Sequence, residues 1–116
     1  MNSESEAEAL DGHNARNRQL INVLVGKGAT LDTPRVLDIF FSAPSELVGK
    51  AVAVGLQELG MTGVEVRPTV NPSGDWVVEG HLQASVEHMT SPSFTLLLVR
   101  HAADHDSDYD GWGTEL

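Results

Sequence analysis

His101 and His105 stand four residues apart in a stretch of helical pattern. That spacing puts two imidazoles on one helix face, and such pairs can hold zinc. A third ligand is not evident nearby. Asp104 points roughly a quarter-turn away, and His81 or His88 would have to arrive through the fold. No H-E-x-x-H pattern occurs. Helical histidines beside apolar positions are more often packed or surface groups, so no metal and no cofactor is expected. A metal-binding sensor or small metal-dependent enzyme using the His101/His105 pair is the alternative.

Just beyond this pair, Asp106-Ser107-Asp108-Tyr109-Asp110-Gly111 has the D-x-D-x-D-G order that opens an EF-hand loop. Calcium takes about six to eight oxygens, and that loop closes on a bidentate acid at its twelfth position. Here the twelfth position falls beyond Leu116, and Glu115 stands at the tenth. The expected reading is a solvated helix end followed by a strand. Acids at that helix end oppose its macrodipole, and a cation or a basic partner would relieve them.

The remaining catalytic patterns are weaker. Ser42, Ser45, Ser91 and Ser93 fall at expected caps and loops, and no G-x-S-x-G occurs. Gly26-Lys27-Gly28-Ala29-Thr30 lacks the G-K-[ST] ending of a phosphate loop and reads as a helix stop. No residue is expected to be catalytic.

The elements that must place these groups can be read from periodicity. Ala15, Leu20, Ile21, Leu24 and Val25 mark one face of a helix over residues 14–25. Arg35 to Phe41 is rich in branched and aromatic residues and reads as a strand, with Leu37, Ile39 and Phe41 on one face and Val36, Asp38 and Phe40 on the other. Both faces are largely apolar, so this strand is expected at the centre of a sheet. Ser42 as cap and Pro44 in the first turn open a helix with Val48, Val52, Leu56 and Leu59 as its stripe. Gly63–Arg67 alternates as a strand, Asn71–Asp75 is a hairpin loop by composition, and Trp76–Ala84 is the return strand. Ser91-Pro92 opens a last helix whose buried side holds Phe94, Leu97, Leu98 and Ala102. Tyr109 to Leu116 is the final strand.

The order is a helix followed by β-α-β-β-α-β. It predicts the α+β class, a ferredoxin-like βαββαβ sandwich with a four-stranded antiparallel sheet and an additional N-terminal helix. The expected strand order is 4-1-3-2. Residues 1–12 are read as a flexible acidic N-terminus and residues 13–116 as a single domain, with the extra helix on a sheet edge or on the open face.

Composition limits the functions open to this domain. Seventeen acids against seven Lys and Arg give a formal charge of −10. Direct binding to a nucleic-acid backbone is disfavoured, because the electrostatic term has the wrong sign. An acidic surface suits a basic protein partner instead. There is no cysteine, which removes disulfides and thiolate chemistry and fits a reducing compartment. The acidic start lacks the apolar core of a secretory signal, and no apolar run reaches the roughly 18–20 residues of a membrane span.

The closing segment Tyr109-Asp110-Gly111-Trp112-Gly113-Thr114 concentrates two of the chain's six aromatic rings and two glycines. It resembles the closing strand of the regulator of ribonuclease activity B family, the ribonuclease E inhibitors. The Leu37–Leu59 strand–helix unit, Gly63–Val66 and the N-terminal helix support the resemblance. It implies a cytoplasmic protein that is not an enzyme and that binds ribonuclease E or another basic protein to restrain RNA turnover. The expected contact surface is Asp104, Asp106, Asp108, Asp110 and Glu115, with Tyr109 or Trp112 as anchors if exposed. A self-associating domain, forming a homodimer through the sheet face that bears Val77 and His81, is the further alternative.

Overall fold

The computed structural model describes the backbone of residues 3–70 and 74–114 and, from residue 7 on, their side chains. The elements are α1 (Ser3–Gly26), β1 (Arg35–Ala43), α2 (Glu46–Glu58), β2 (Thr62–Pro68), β3 (Trp76–Ala84), α3 (Val86–Met89), α4 (Pro92–Asp104) and β4 (Asp108–Thr114). The four strands form one sheet in the order β2-β3-β1-β4, which is the 4-1-3-2 order expected, and every pairing is antiparallel. The ferredoxin-like sandwich with its additional N-terminal helix is therefore the fold of this chain.

The central position of β1 follows from its residues. Leu37, Ile39, Phe41 and Ala43 all point into the core, and the first three are fully buried. They meet Val52 and Leu56 of α2 and Leu98 of α4, which are equally buried. Burying each such side chain contributes about 1.5–3 kcal/mol. Both long crossover helices therefore lie on one face of the sheet. α1 joins that layer by packing against α4 rather than covering the other face.

Several boundaries differ from expectation. α1 begins at Ser3 and not near Asn14, because alanines, Leu10 and a run of glutamates favour a helix and acids suit its positive end. The cap of α2 is Ser45, whose side chain accepts from the Val48 amide at 3.2 Å. Ser42 instead stays within β1, which runs two residues past Phe41. At α4 Ser91 occupies the cap position, but its hydroxyl donates to the His88 carbonyl. The short helix α3, capped by Ser85, was not expected.

The helix ends share a device. After α1, α2 and α4 the chain closes with paired amide-to-carbonyl bonds of the Schellman type, such as Ser107 N to Ala102 O at 2.8 Å and Asp106 N to Ala103 O at 3.1 Å. Gly28 and Gly60 take the left-handed position in the first two helices, and Asp106 takes it in α4 with φ of 52°.

Candidate functional site

β4 is the strand that carries the closing motif, and its geometry explains the motif's composition. Phe41 of β1 sits across from Tyr109, Phe40 from Gly111 and Ile39 from Trp112. One extra residue on β4 therefore forms a bulge at Asp110-Gly111. Residues three apart on a regular strand face opposite ways. The bulge resets that alternation, so Tyr109 and Trp112 both turn toward the helices. Gly111 accomplishes this with φ of 114°, a conformation that L side chains rarely adopt.

Both rings are consequently buried, Tyr109 at 6% and Trp112 at 9% exposure. Tyr109 stacks on His13 of α1, with ring centroids 4.4 Å apart, and tilts against Phe41 at 5.2 Å. Burial pushes its phenol pKa up. Trp112 Nε1 donates to Asn17 Oδ1 at 2.8 Å, and Asn17 Nδ2 donates to Thr95 Oγ1 at 3.4 Å. Neither ring is offered to a partner, so the expectation of Tyr109 as an anchor is corrected: it joins α1 to the sheet.

α1 meets that strand with polar residues. His13 and Asn17 are buried, as is Leu24, whereas Leu20 and Val25, placed on the inner face by the sequence, are 36% and 55% exposed. Arg16 donates to His13 Nδ1 at 3.0 Å. Desolvation first, and the neighbouring Arg16 cation second, lower the His13 pKa, which favours the neutral ring where it stacks.

Four of the five acids named from the sequence fall within the described residues. Asp104, Asp106, Asp108 and Asp110 are all exposed. They belong to the α4 end, the turn and β4, so the D-x-D-x-D-G run forms no ion-binding loop. Glu115 lies outside the described residues. Asp110 accepts a hydrogen bond from the Ser42 hydroxyl, which ties the acid to the sheet face away from the helices.

The histidine pair lies elsewhere. His101 Nε2 donates to the Val52 carbonyl at 3.0 Å, and its ring meets the His105 ring edge-on at 5.0 Å. A methyl group at Gly55 would overlap the His101 ring, so the glycine allows α2 and the imidazole to meet closely. His88 packs against Phe94 instead, and His81 lies across from Asp38 on the far sheet face. Among the described residues no third ligand joins His101 and His105. These histidines, with Val54, Leu59, Leu97 and the charged Glu58, Arg100 and Asp104, line an open groove of about 960 Å3 between α2 and α4.

The opposite face of the sheet holds a cluster that the sequence did not bring together. His81 Nδ1 lies 2.7 Å from Asp38 Oδ1, and His81 Nε2 lies 3.4 Å from Glu79 Oε2. Arg67 donates to Glu79 Oε1 at 2.7 Å and lies 3.7 Å from Glu65. Asp38, Glu79 and His81 are the one trio with metal-ligand spacing among the described residues. Asp38 and Glu79 each face a ring nitrogen of His81, and Glu79 accepts from Arg67, so these side chains hold one another in a polar network.

Among the described residues the geometry thus offers an acidic exterior and rings used for packing, with no assembled nucleophile, base and orienter. No curated protein matches the chain in a sequence comparison. The family described as Regulator of ribonuclease activity B matches residues 14–114. That span runs from α1 through the bulged closing strand, and the chain belongs to the regulator of ribonuclease activity B family.

Proposed function

We propose that this protein is a non-catalytic regulator that binds ribonuclease E, or another ribonuclease with a basic surface, and restrains RNA turnover in the cytoplasm. The match of residues 14–114 to the regulator of ribonuclease activity B family carries this reading. It is supported by the formal charge of −10 and by the exposure of Asp104, Asp106, Asp108 and Asp110 along one end of α4 and β4. In this reading those carboxylates steer and select a basic protein segment, since charge complementarity acts first on encounter and register. The same charge disfavours direct contact with RNA.

The test is capture of purified ribonuclease E by the full chain across a salt series, together with its cleavage of a model RNA. Capture is expected to weaken at least about tenfold from low to high salt as the charges are screened. Replacing Asp104, Asp106, Asp108 and Asp110 together by asparagine is expected to weaken it at low salt and to relieve inhibition. Capture that ignores both salt and the four substitutions would rule the acidic mechanism out.

A further inference from the structure

The sheet face turned away from the helices carries no described element. Asp38, Phe40 and Ser42 of β1 share it with Glu79 and His81 of β3, Glu65 and Arg67 of β2, and Asp108 of β4, as the strand register requires. Asp110 joins them through Ser42. Five carboxylates therefore face one guanidinium and one imidazole. At the middle sits Phe40, half-buried, and Val36, beyond Asp38 at the far end of the same face of β1, is 59% exposed. Across from Phe40 and Asp38 on β4 stand Gly111 and Gly113, so no side chain rises beside the ring on that side.

We propose that this face seats an arginine-bearing extended segment of the protein partner, with a guanidinium laid on the Phe40 ring. The seat deepens the function proposed above and rests on it. An aromatic face attracts a cation, and the planar guanidinium both stacks and presents several donors, whereas an ammonium is a compact, strongly hydrated charge. The surrounding acids are held in place beforehand. Asp38 engages His81 through Oδ1 and Asp110 engages Ser42 through Oδ2, so each keeps a second oxygen for the guest. The trough over Gly111 and Gly113 gives the stem of the incoming side chain room to lie flat. An extended segment fits because its alternate side chains point the same way and can follow the strands.

The experiment is fluorescence anisotropy of the full chain with two labelled peptides at low salt, one alternating arginine with serine and one alternating lysine with serine. The arginine peptide is expected to bind about fivefold tighter, as one stacked cation contributes. Phe40→Leu, with its thermal midpoint checked, is expected to erase that preference. Phe40→Tyr is expected to keep it. Asp108→Asn/Asp110→Asn is expected to weaken both peptides. Equal binding of the two peptides, or a preference that survives Phe40→Leu, overturns the seat, and if the asparagine variants still weaken binding then acidic docking stands without it. No salt-sensitive binding of either peptide overturns both the seat and the acidic docking on which it rests.

Discussion

The two faces of the sheet are built from the same strands and meet opposite ends. Toward the helices, Leu37, Ile39, Phe41 and Ala43 are shut away under α2 and α4. One residue along, Val36 and Phe40 lie on a face that no described element covers, among five carboxylates. The first face is accounted for by its own packing. The second bears the half-buried ring of Phe40 and the exposed Val36 among charged side chains, and apolar surface rimmed by polar residues marks interaction sites. Stability resides on one side of β1, and the binding chemistry proposed here on the other.

The adjacent phenylalanines put that division to the largest test. Phe41→Ala is expected to cost about 3–5 kcal/mol in urea unfolding, because it leaves a cavity in a closed core. Phe40→Leu, on the open side, is expected to cost under about 1 kcal/mol. Equal losses would mean that the open face is part of the core after all.

A smaller effect concerns the strand that borders both faces. Gly111→Ala forces an alanine into the φ of 114° that sets the bulge. A loss of about 1–3 kcal/mol is expected, accompanied by exposure of Trp112 as a red shift of its emission. An unchanged spectrum would show that the inward turn of both rings does not depend on the bulge.

Asp106→Gly is expected to act in the other direction. Glycine accepts the left-handed position at the end of α4 without strain and removes an acid from the negative helix end, so a gain of about 1 kcal/mol should appear in thermal or urea unfolding. If this gain comes with weaker capture of ribonuclease E, the acid is retained for binding at the expense of the helix end.

The last test is a slope with pH. His13 has a lowered pKa in the folded chain, so below its ordinary value of 6.5 the unfolded chain binds more protons than the folded one. Its contribution is complete above that value and is lost as pH falls through the lowered folded value. Unfolding midpoints measured from about pH 7 to about pH 5 are expected to fall less steeply for His13→Gln than for the parent chain. Parallel slopes would show that another group governs the acid limb.

Most of the covered face could be read from the chain itself. The two-residue alternation of Leu37, Ile39 and Phe41 named the inner side of β1, and Trp76–Ala84 has the bounds expected. The strand order followed from connectivity and handedness. What could not be read depends on partners distant in sequence. His13 and Asn17 look like polar surface positions until Trp112 and Thr95 arrive, 95 and 78 residues from Asn17. α1 docks in part through apolar residues that its stripe did name, Leu24 buried and Ile21 packed against the core, and in part through hydrogen bonds and a stacked ring, which leave no apolar trace. The Asp38–Glu79–His81 network was hidden for the same reason, because register between β1 and β3 assembles it. The acids of the α4 end were visible because they lie close in sequence.

The indole of Trp112 is tethered to Asn17 and sits in the seam between α1 and the sheet. Trp76 is the only other tryptophan, so a Trp76→Phe chain would carry its single tryptophan at that seam. Its emission colour and quenching by iodide would then report, without any label, whether the N-terminal helix remains seated or lifts away when a ribonuclease is captured.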